Sequence, residues 1–297
     1  MAEIQYKQGD VVYREGDRGE VFYRVLEGAV DVVLDWGKDS ATTLTTLLPG
    51  QFFGEMSAMG GYRRSATVVA AADDTKLMEL NEKDMNAMFR ENPDTILDLL
   101  KYLGGRIRTL SHDTEQARNV LEEMKASDGK PCSESFMDKA RQVVLYYHSP
   151  DRQMKKPSVE AKEEKAHPEG LSGRVSAYSA GTILYKEGEP GRCMYDIHWG
   201  RVGIFSAYGT SDQRKLTELS VNQFFGEMGM LCGDPRSATA VILDNDTTVE
   251  SIYPEDMREL FEKNPPKVWM VFEHIALRLR HLTDEYAGIC REICERQ

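Results

Sequence analysis

The chain has 297 residues, 41% of them apolar and 29% charged, with a formal net charge of −12. That length suggests about two domains on a prior of ~100–200 residues each, and the composition is that of a soluble globular protein. The acidic balance argues against a nucleic-acid surface, no apolar run approaches the ~20 residues of a membrane helix, and the first residues lack the charge and apolar core of a signal peptide.

From the N-terminus the chain reads as short strands broken by turns. G-D-V-V-Y-R-E-G-D-R-G is followed by V-F-Y-R-V-L-E-G-A-V-D-V-V-L. Tyr23, Val25, the turn at Gly28, then Val30 and Val32 give an apolar period of two, so strands of this spacing predict an antiparallel roll or barrel. Residues 51–67 then read Q-F-F-G-E-M-S-A-M-G-G-Y-R-R-S-A-T, where E-M-S-A-M predicts a single helical turn entered through Gly54. Beyond it Ile96, Leu99, Leu103, Ile107 and Leu110 recur at three and four, continuing to Leu121 and Met124, which predicts a long amphipathic helix.

Composition changes after residue 125. Ser133 to His148 predicts one further helix, and Ser149 to Gly170, with Pro150, Pro157 and Pro168 amid mixed charge, reads as an exposed linker. Lys155-Lys156-Pro157-Ser158-Val159 has the outline of a kinase recognition sequence and reads as an accident of a Lys-rich linker.

A shift of 172 residues then restarts the pattern. Gly9 falls on Gly181, Gly16 on Gly188, Gly19 on Gly191, Tyr23 on Tyr195, Gly28 on Gly200 and Phe89 on Phe261, without an insertion. Residues 223–239, Q-F-F-G-E-M-G-M-L-C-G-D-P-R-S-A-T, repeat the earlier segment, with Glu227 and Arg236 nine residues apart like Glu55 and Arg64. A unit of this length is a duplicated domain rather than a solenoid repeat. The expected domains are therefore 1–125 and 173–297, joined by a linker over 126–172. The closing helix carries Ile275, Leu279, Leu282, Tyr286, Ile289 and Ile293 at heptad spacing, which suits either a coiled-coil seam or packing on its own roll.

A packing segment has no need to repeat a carboxylate and a guanidinium at fixed spacing. A helical turn presents unpaired N–H groups to a phosphate, and an Arg forks onto its oxygens. The Glu would repel that anion unless it accepts hydrogen bonds from another part of the ligand, and ribose hydroxyls are suitable donors. One carboxylate, one Arg and a helical turn describe a metal-free nucleotide site, to which Ser65 and Ser237 can add a hydroxyl. No catalytic constellation, P-loop or metal cluster is visible. The five cysteines, Cys132, Cys193, Cys232, Cys290 and Cys294, read as reduced thiols of a cytoplasmic protein.

Each copy resembles the cyclic nucleotide-binding domain shared by protein kinase A regulatory subunits, cyclic nucleotide-gated channels and the bacterial catabolite activator protein. The motif that carries the resemblance is the phosphate-binding cassette, F-G-E followed by R-x-A. The resemblance implies an α+β, mainly β fold: two eight-stranded antiparallel, jelly-roll-like β-rolls, each with flanking helices and a long C-terminal helix. It implies ligand-binding residues Phe53, Gly54, Glu55, Met56, Ser57, Arg64, Ser65 and Ala66 in the first site. In the second they are Phe225, Gly226, Glu227, Met228, Gly229, Arg236, Ser237 and Ala238. The Glu would hold the ribose 2′-hydroxyl and the Arg the cyclic phosphate. Arg106, Arg108, Arg278 and Arg280 would contact the base or pair with carboxylates, and Tyr286 with Tyr146 or Tyr147 are the candidate base-stacking lids.

The implied function is a receptor for cyclic AMP or cyclic GMP. It has no cofactor, and it signals by conformational change to a protein partner or through a homodimer of the C-terminal helices. A catabolite-activator-like transcription regulator, or an interaction protein with another ligand, are the alternatives.

Overall fold

The computed structural model describes residues 2–39, 41–60, 63–126 and 174–295. The helix expected over 133–148, the linker beyond it, Tyr146, Tyr147 and the Lys155–Val159 stretch lie outside these residues.

The first roll has eight strands: β1 (Ala2–Tyr6), β2 (Val11–Tyr13), β3 (Phe22–Glu27), β4 (Val30–Leu34), β5 (Thr42–Leu47), β6 (Phe52–Phe53), β7 (Thr67–Ala70) and β8 (Thr75–Leu80). They form two antiparallel four-stranded sheets, β1-β8-β3-β6 and β2-β7-β4-β5. The second roll repeats this with β9 (Val175–Tyr178), β10 (Ile183–Tyr185), β11 (Met194–Trp199), β12 (Val202–Ser206), β13 (Arg214–Leu219), β14 (Phe224–Phe225), β15 (Thr239–Ile242) and β16 (Thr247–Ile252). Its sheets, β9-β16-β11-β14 and β10-β15-β12-β13, have the same order shifted by eight strands. The fold is thus the expected α+β pair of eight-stranded rolls.

The period-two pattern places the first core as read, with one exception. Tyr23, Val25 and Val30 are buried with Leu47, Phe53, Val68 and Leu77, but Val32 is only partly buried while Val33 is buried. The β4–β5 register shifts between Val32 and Val33, and such a bulge turns the following side chains to the other face. The second core repeats the first with Tyr185, Ile197, Val202, Phe225, Ala240, Ile242 and Val249.

Six helices accompany the rolls among the described residues: α1 (Glu55–Gly60), α2 (Glu82–Glu91), α3 (Asp94–Ala126), α4 (Glu227–Cys232), α5 (Asp256–Lys263) and α6 (Pro265–Glu295). Asn92-Pro93 and Asn264-Pro265 separate the short helix from the long one in each copy. A residue before proline is disfavoured in helical geometry, and proline itself suits a first helical turn, so the break falls where sequence dictates. None of the described helices is long and apolar enough to cross a membrane.

The chain forms two compact units, and neither is a simple sequence half. One holds the described residues of 1–90, 109–159 and 276–297; the other holds those of 91–108 and 160–275. In the first unit the end of α3 packs on the end of α6. Ala117, Val120 and Leu121 form a buried cluster with Tyr286 and Ile293, flanked by Leu110, Met124, Ile289 and Cys290. Arg118 pairs with Glu285 and Lys125 with Glu292. Both partners advance by seven residues together, so the two helical ends run parallel in heptad register. The end of the α6 heptad face, from Tyr286 to Ile293, is therefore covered by α3 of the same chain, where the sequence left a coiled-coil seam and packing on its own roll both open. Tyr286, expected as a base-stacking lid, is buried in this seam. Truncating Leu121 or Ile293 to Ala should cost roughly 2–5 kcal/mol, as for buried apolar side chains generally. Urea denaturation would measure it, and losses below ~0.5 kcal/mol for both would contradict the pairing.

Candidate functional site

Each cassette is built where the roll hands over to a six-residue helix. In the first, β6 ends at Phe53, Gly54 follows at φ +80°, and α1 starts at Glu55. In the second, Gly226 takes φ +75° between β14 and α4. L-residues avoid this left-handed region, and there is a second reason for glycine here. A Cβ on Gly54 would stand 2.5 Å from Arg64 Nη1, and one on Gly226 would collide with the same atom of Arg236.

The arginines are buried, at 4% exposure for Arg64 and 5% for Arg236. Arg64 donates from Nη1 to the Gly54 carbonyl (2.9 Å) and from Nη2 to the Val21 carbonyl (2.6 Å). Arg236 donates to the Gly226 carbonyl (2.6 Å) and the Cys193 carbonyl (2.8 Å). Each guanidinium lies over a tyrosine, Arg64 4.1 Å from the Tyr13 ring centre and Arg236 4.2 Å from that of Tyr185, a cation–π contact. The Nε N–H of both arginines is buried with no hydrogen-bond partner among the described residues. Glu55 and Glu227, which open the cassette helices, are buried as well, at 1% and 2% exposure.

Burial, with help from Glu79, pushes the Tyr23 phenol up to about 12, and Tyr195 is raised too, mainly by burial. Both phenols stay neutral at physiological pH.

The remaining expected residues divide by role. Met56 and Met228 are half-buried, and Ser57 and Gly229 are buried in the cassette helices. Ser65 is half-buried and Ser237 exposed, whereas Ala66 and Ala238 are buried where β7 and β15 begin. The Phe53 and Phe225 side chains belong to the roll cores, stacked on Tyr23 (5.2 Å) and Tyr195 (5.1 Å). Their part in the site is to end the strand at the cassette glycine.

Sequence reasoning missed three features. Tyr13 and Tyr185 stand 172 residues apart, so the repeat itself held that signal. The carbonyls of Val21 and Cys193 are backbone groups and leave no trace in residue type. The third is His274 on α6, whose Nε2 stands 3.8 Å from Glu227 Oε2 while its ring packs on Phe224. The first copy has Tyr102 at that position, so no repeated signal marked it. Among the helix arginines, Arg108 pairs with Asp234 (3.3 Å), two residues before Arg236. Arg280 donates to the carbonyl of Arg63 (3.1 Å), the residue before Arg64, and stands 3.7 Å from Asp284. Arg63 is exposed and donates to the Gly16 carbonyl.

Comparison with known proteins agrees with this geometry. The family model of the cyclic nucleotide-binding domain matches residues 3–92 and again 175–264. The chain is 25% identical over 253 residues to a cAMP-dependent protein kinase regulatory subunit of Dictyostelium discoideum, covering 84% of this chain and 62% of that one. It is 34% identical over 119 residues to a Cyclic AMP receptor protein of Thermus thermophilus (38% of this chain, 55% of that one). Against cGMP-dependent protein kinase 2 of Mus musculus it is 31% identical over 112 residues, 37% of this chain and 14% of that one. The chain thus spans about three fifths of the Dictyostelium relative and less of the other two. With both cassettes in register and the family matched twice over more than half the chain, this protein belongs to the cyclic nucleotide-binding domain family and carries two such domains in tandem.

Proposed function

We propose that the chain is a cyclic-nucleotide receptor with two binding sites, one in each roll, and that cyclic AMP is the preferred ligand. Arg64 and Arg236 take the cyclic phosphate, and Glu55 and Glu227 take a ribose hydroxyl. The observation that carries this reading is the pair of buried guanidiniums with an unsatisfied Nε N–H. Leaving such a donor unmet costs roughly 1–3 kcal/mol, and an anion entering the cassette would satisfy it. The preference for cyclic AMP is supported by the names of the Dictyostelium and Thermus relatives. Binding signals to a protein partner by conformational change, without catalysis in these domains. A homodimer through the C-terminal helices would have to use faces other than the α3–α6 seam.

Calorimetric titration of the folded, nucleotide-free chain tests this. Two equivalents of cyclic AMP should bind, more tightly than cyclic GMP. An absence of heat with either nucleotide would remove the receptor reading while leaving the fold intact.

A further inference from the structure

The second unit holds a polar cluster made of residues other than the expected cassette residues. Asp196 and His198 stand two residues apart on β11, where the register with β16 shifts between Ile197 and Trp199, and their side chains meet. Glu250 on β16 is the direct cross-strand partner of Asp196. Lys267, in the first turn of α6, reaches down onto them. His198 Nε2 lies 3.3 Å from Asp196 Oδ2 and 3.0 Å from Glu250 Oε2. Lys267 Nζ lies 2.7 Å from Asp196 Oδ2 and 3.3 Å from His198 Nε2, and is bonded to Glu250.

Both carboxylate side chains are only 7% exposed. Burial works against the charge on Lys267, but the hydrogen bonds it donates to Asp196 and Glu250 outweigh it and hold the ammonium above its ordinary pKa. Two buried carboxylates share one ammonium in a poorly solvated place, a costly arrangement. Asp196 Oδ1, moreover, is buried with no hydrogen-bond partner among the described residues. The cluster is therefore one contact short.

We propose that Asp196, His198 and Glu250 form a binding site for a divalent transition-metal ion, with Zn²⁺ as the best match, in which the metal displaces the Lys267 ammonium. The donor set of one imidazole and two carboxylates suits zinc, and three protein donors leave a fourth position for water. Tetrahedral bonds of about 2.0–2.1 Å require donor atoms roughly 3.3–3.5 Å apart. The His198 separations of 3.3 and 3.0 Å come close to this, and all three donor atoms lie within 4.8 Å of one another. The corresponding residues of the first copy are Arg24, Leu26, Met78 and Thr95, which offer no such set. The site is accordingly a property of the second domain alone and separate from the cassette function that the two domains share. Occupancy by metal frees Lys267 and so releases the first turn of α6 from its buried anchor.

The test is calorimetric titration of Zn²⁺ into the full chain, with Mg²⁺ as the hard-cation control. Co²⁺ serves as an optical probe of tetrahedral coordination. Wild type should bind one Zn²⁺ that His198→Ala lacks, and that site should show the visible absorption of tetrahedral Co²⁺. Lys267→Gln should bind the ion at least about tenfold more tightly, because the competing ammonium is gone. Equal Zn²⁺ stoichiometry in wild type and His198→Ala would overturn the assignment. So would a Lys267→Gln affinity no higher than that of wild type. His198 is partly exposed, so its Ala variant should fold; if Lys267→Gln does not, wild type against His198→Ala decides alone.

Discussion

Arg64→Ala and Arg236→Ala should each remove one of the two nucleotide sites and leave the other near its original affinity. A charge-assisted hydrogen bond to an ionised group contributes roughly 1.5–3 kcal/mol, so its loss weakens binding by about 10- to 150-fold. The geometry adds a second expectation. Arg64 also holds the carbonyls of Gly54 and Val21, and Arg236 those of Gly226 and Cys193. Alanine leaves these acceptors unmet and opens the space over Tyr13 or Tyr185, so both variants should also melt earlier. Lysine separates the effects: it keeps the charge but lacks the fork that reaches two carbonyls at once, so Arg64→Lys should bind more weakly than wild type and better than Ala. The measurement is calorimetric titration of cyclic AMP, with thermal melts run beside it. Two sites of unchanged affinity in either Ala variant would show that the guanidinium is a structural strut and not the phosphate ligand.

The double role of that arginine marks the limit of what sequence reveals. A charge pair at fixed spacing, written twice, is visible because the same chemistry is required in both copies. So are the rolls, because their alternation and glycine-marked turns repeat in step. The partners of each guanidinium are backbone carbonyls, which any residue supplies, and so Val21 and Cys193 carry no signature. The heptads of α3 and α6 were legible as apolar faces, but a period does not name its partner. That the two ends pair in parallel emerges only when Arg118–Glu285 and Lys125–Glu292 are seen to keep one offset. The Asp196–His198–Glu250–Lys267 cluster escaped for the opposite reason. Its members come from β11, β16 and α6 and occur in one copy only, so a reading built on the repeat passes over them.

The sharpest asymmetry between the copies lies at a pair of glycines that the sequence presents as equivalent. Gly19→Ala and Gly191→Ala should fail differently. A Cβ on Gly19 would overlap the guanidinium of Arg64, the far end of a flexible side chain. That group can swing aside, giving up its carbonyl contacts, so the variant should lose nucleotide affinity at the first site and some stability, but less stability than Gly191→Ala. A Cβ on Gly191 would instead overlap the backbone of Gly229, which has no rotamer through which to escape. Overpacking of this kind typically costs 1–3 kcal/mol, and here the strain falls on α4 itself. The same contact explains why the second cassette has Gly229 where the first has Ser57: a Cβ on Gly229 would stand 2.6 Å from the Gly191 Cα. Gly229→Ser, which imports the residue of the first copy, should therefore destabilise about as much as Gly191→Ala. Urea denaturation together with nucleotide titration resolves all three variants. Stability loss in Gly19→Ala equal to that in Gly191→Ala would mean that Arg64 is as immovable as backbone, and that the first cassette is locked by its own arginine.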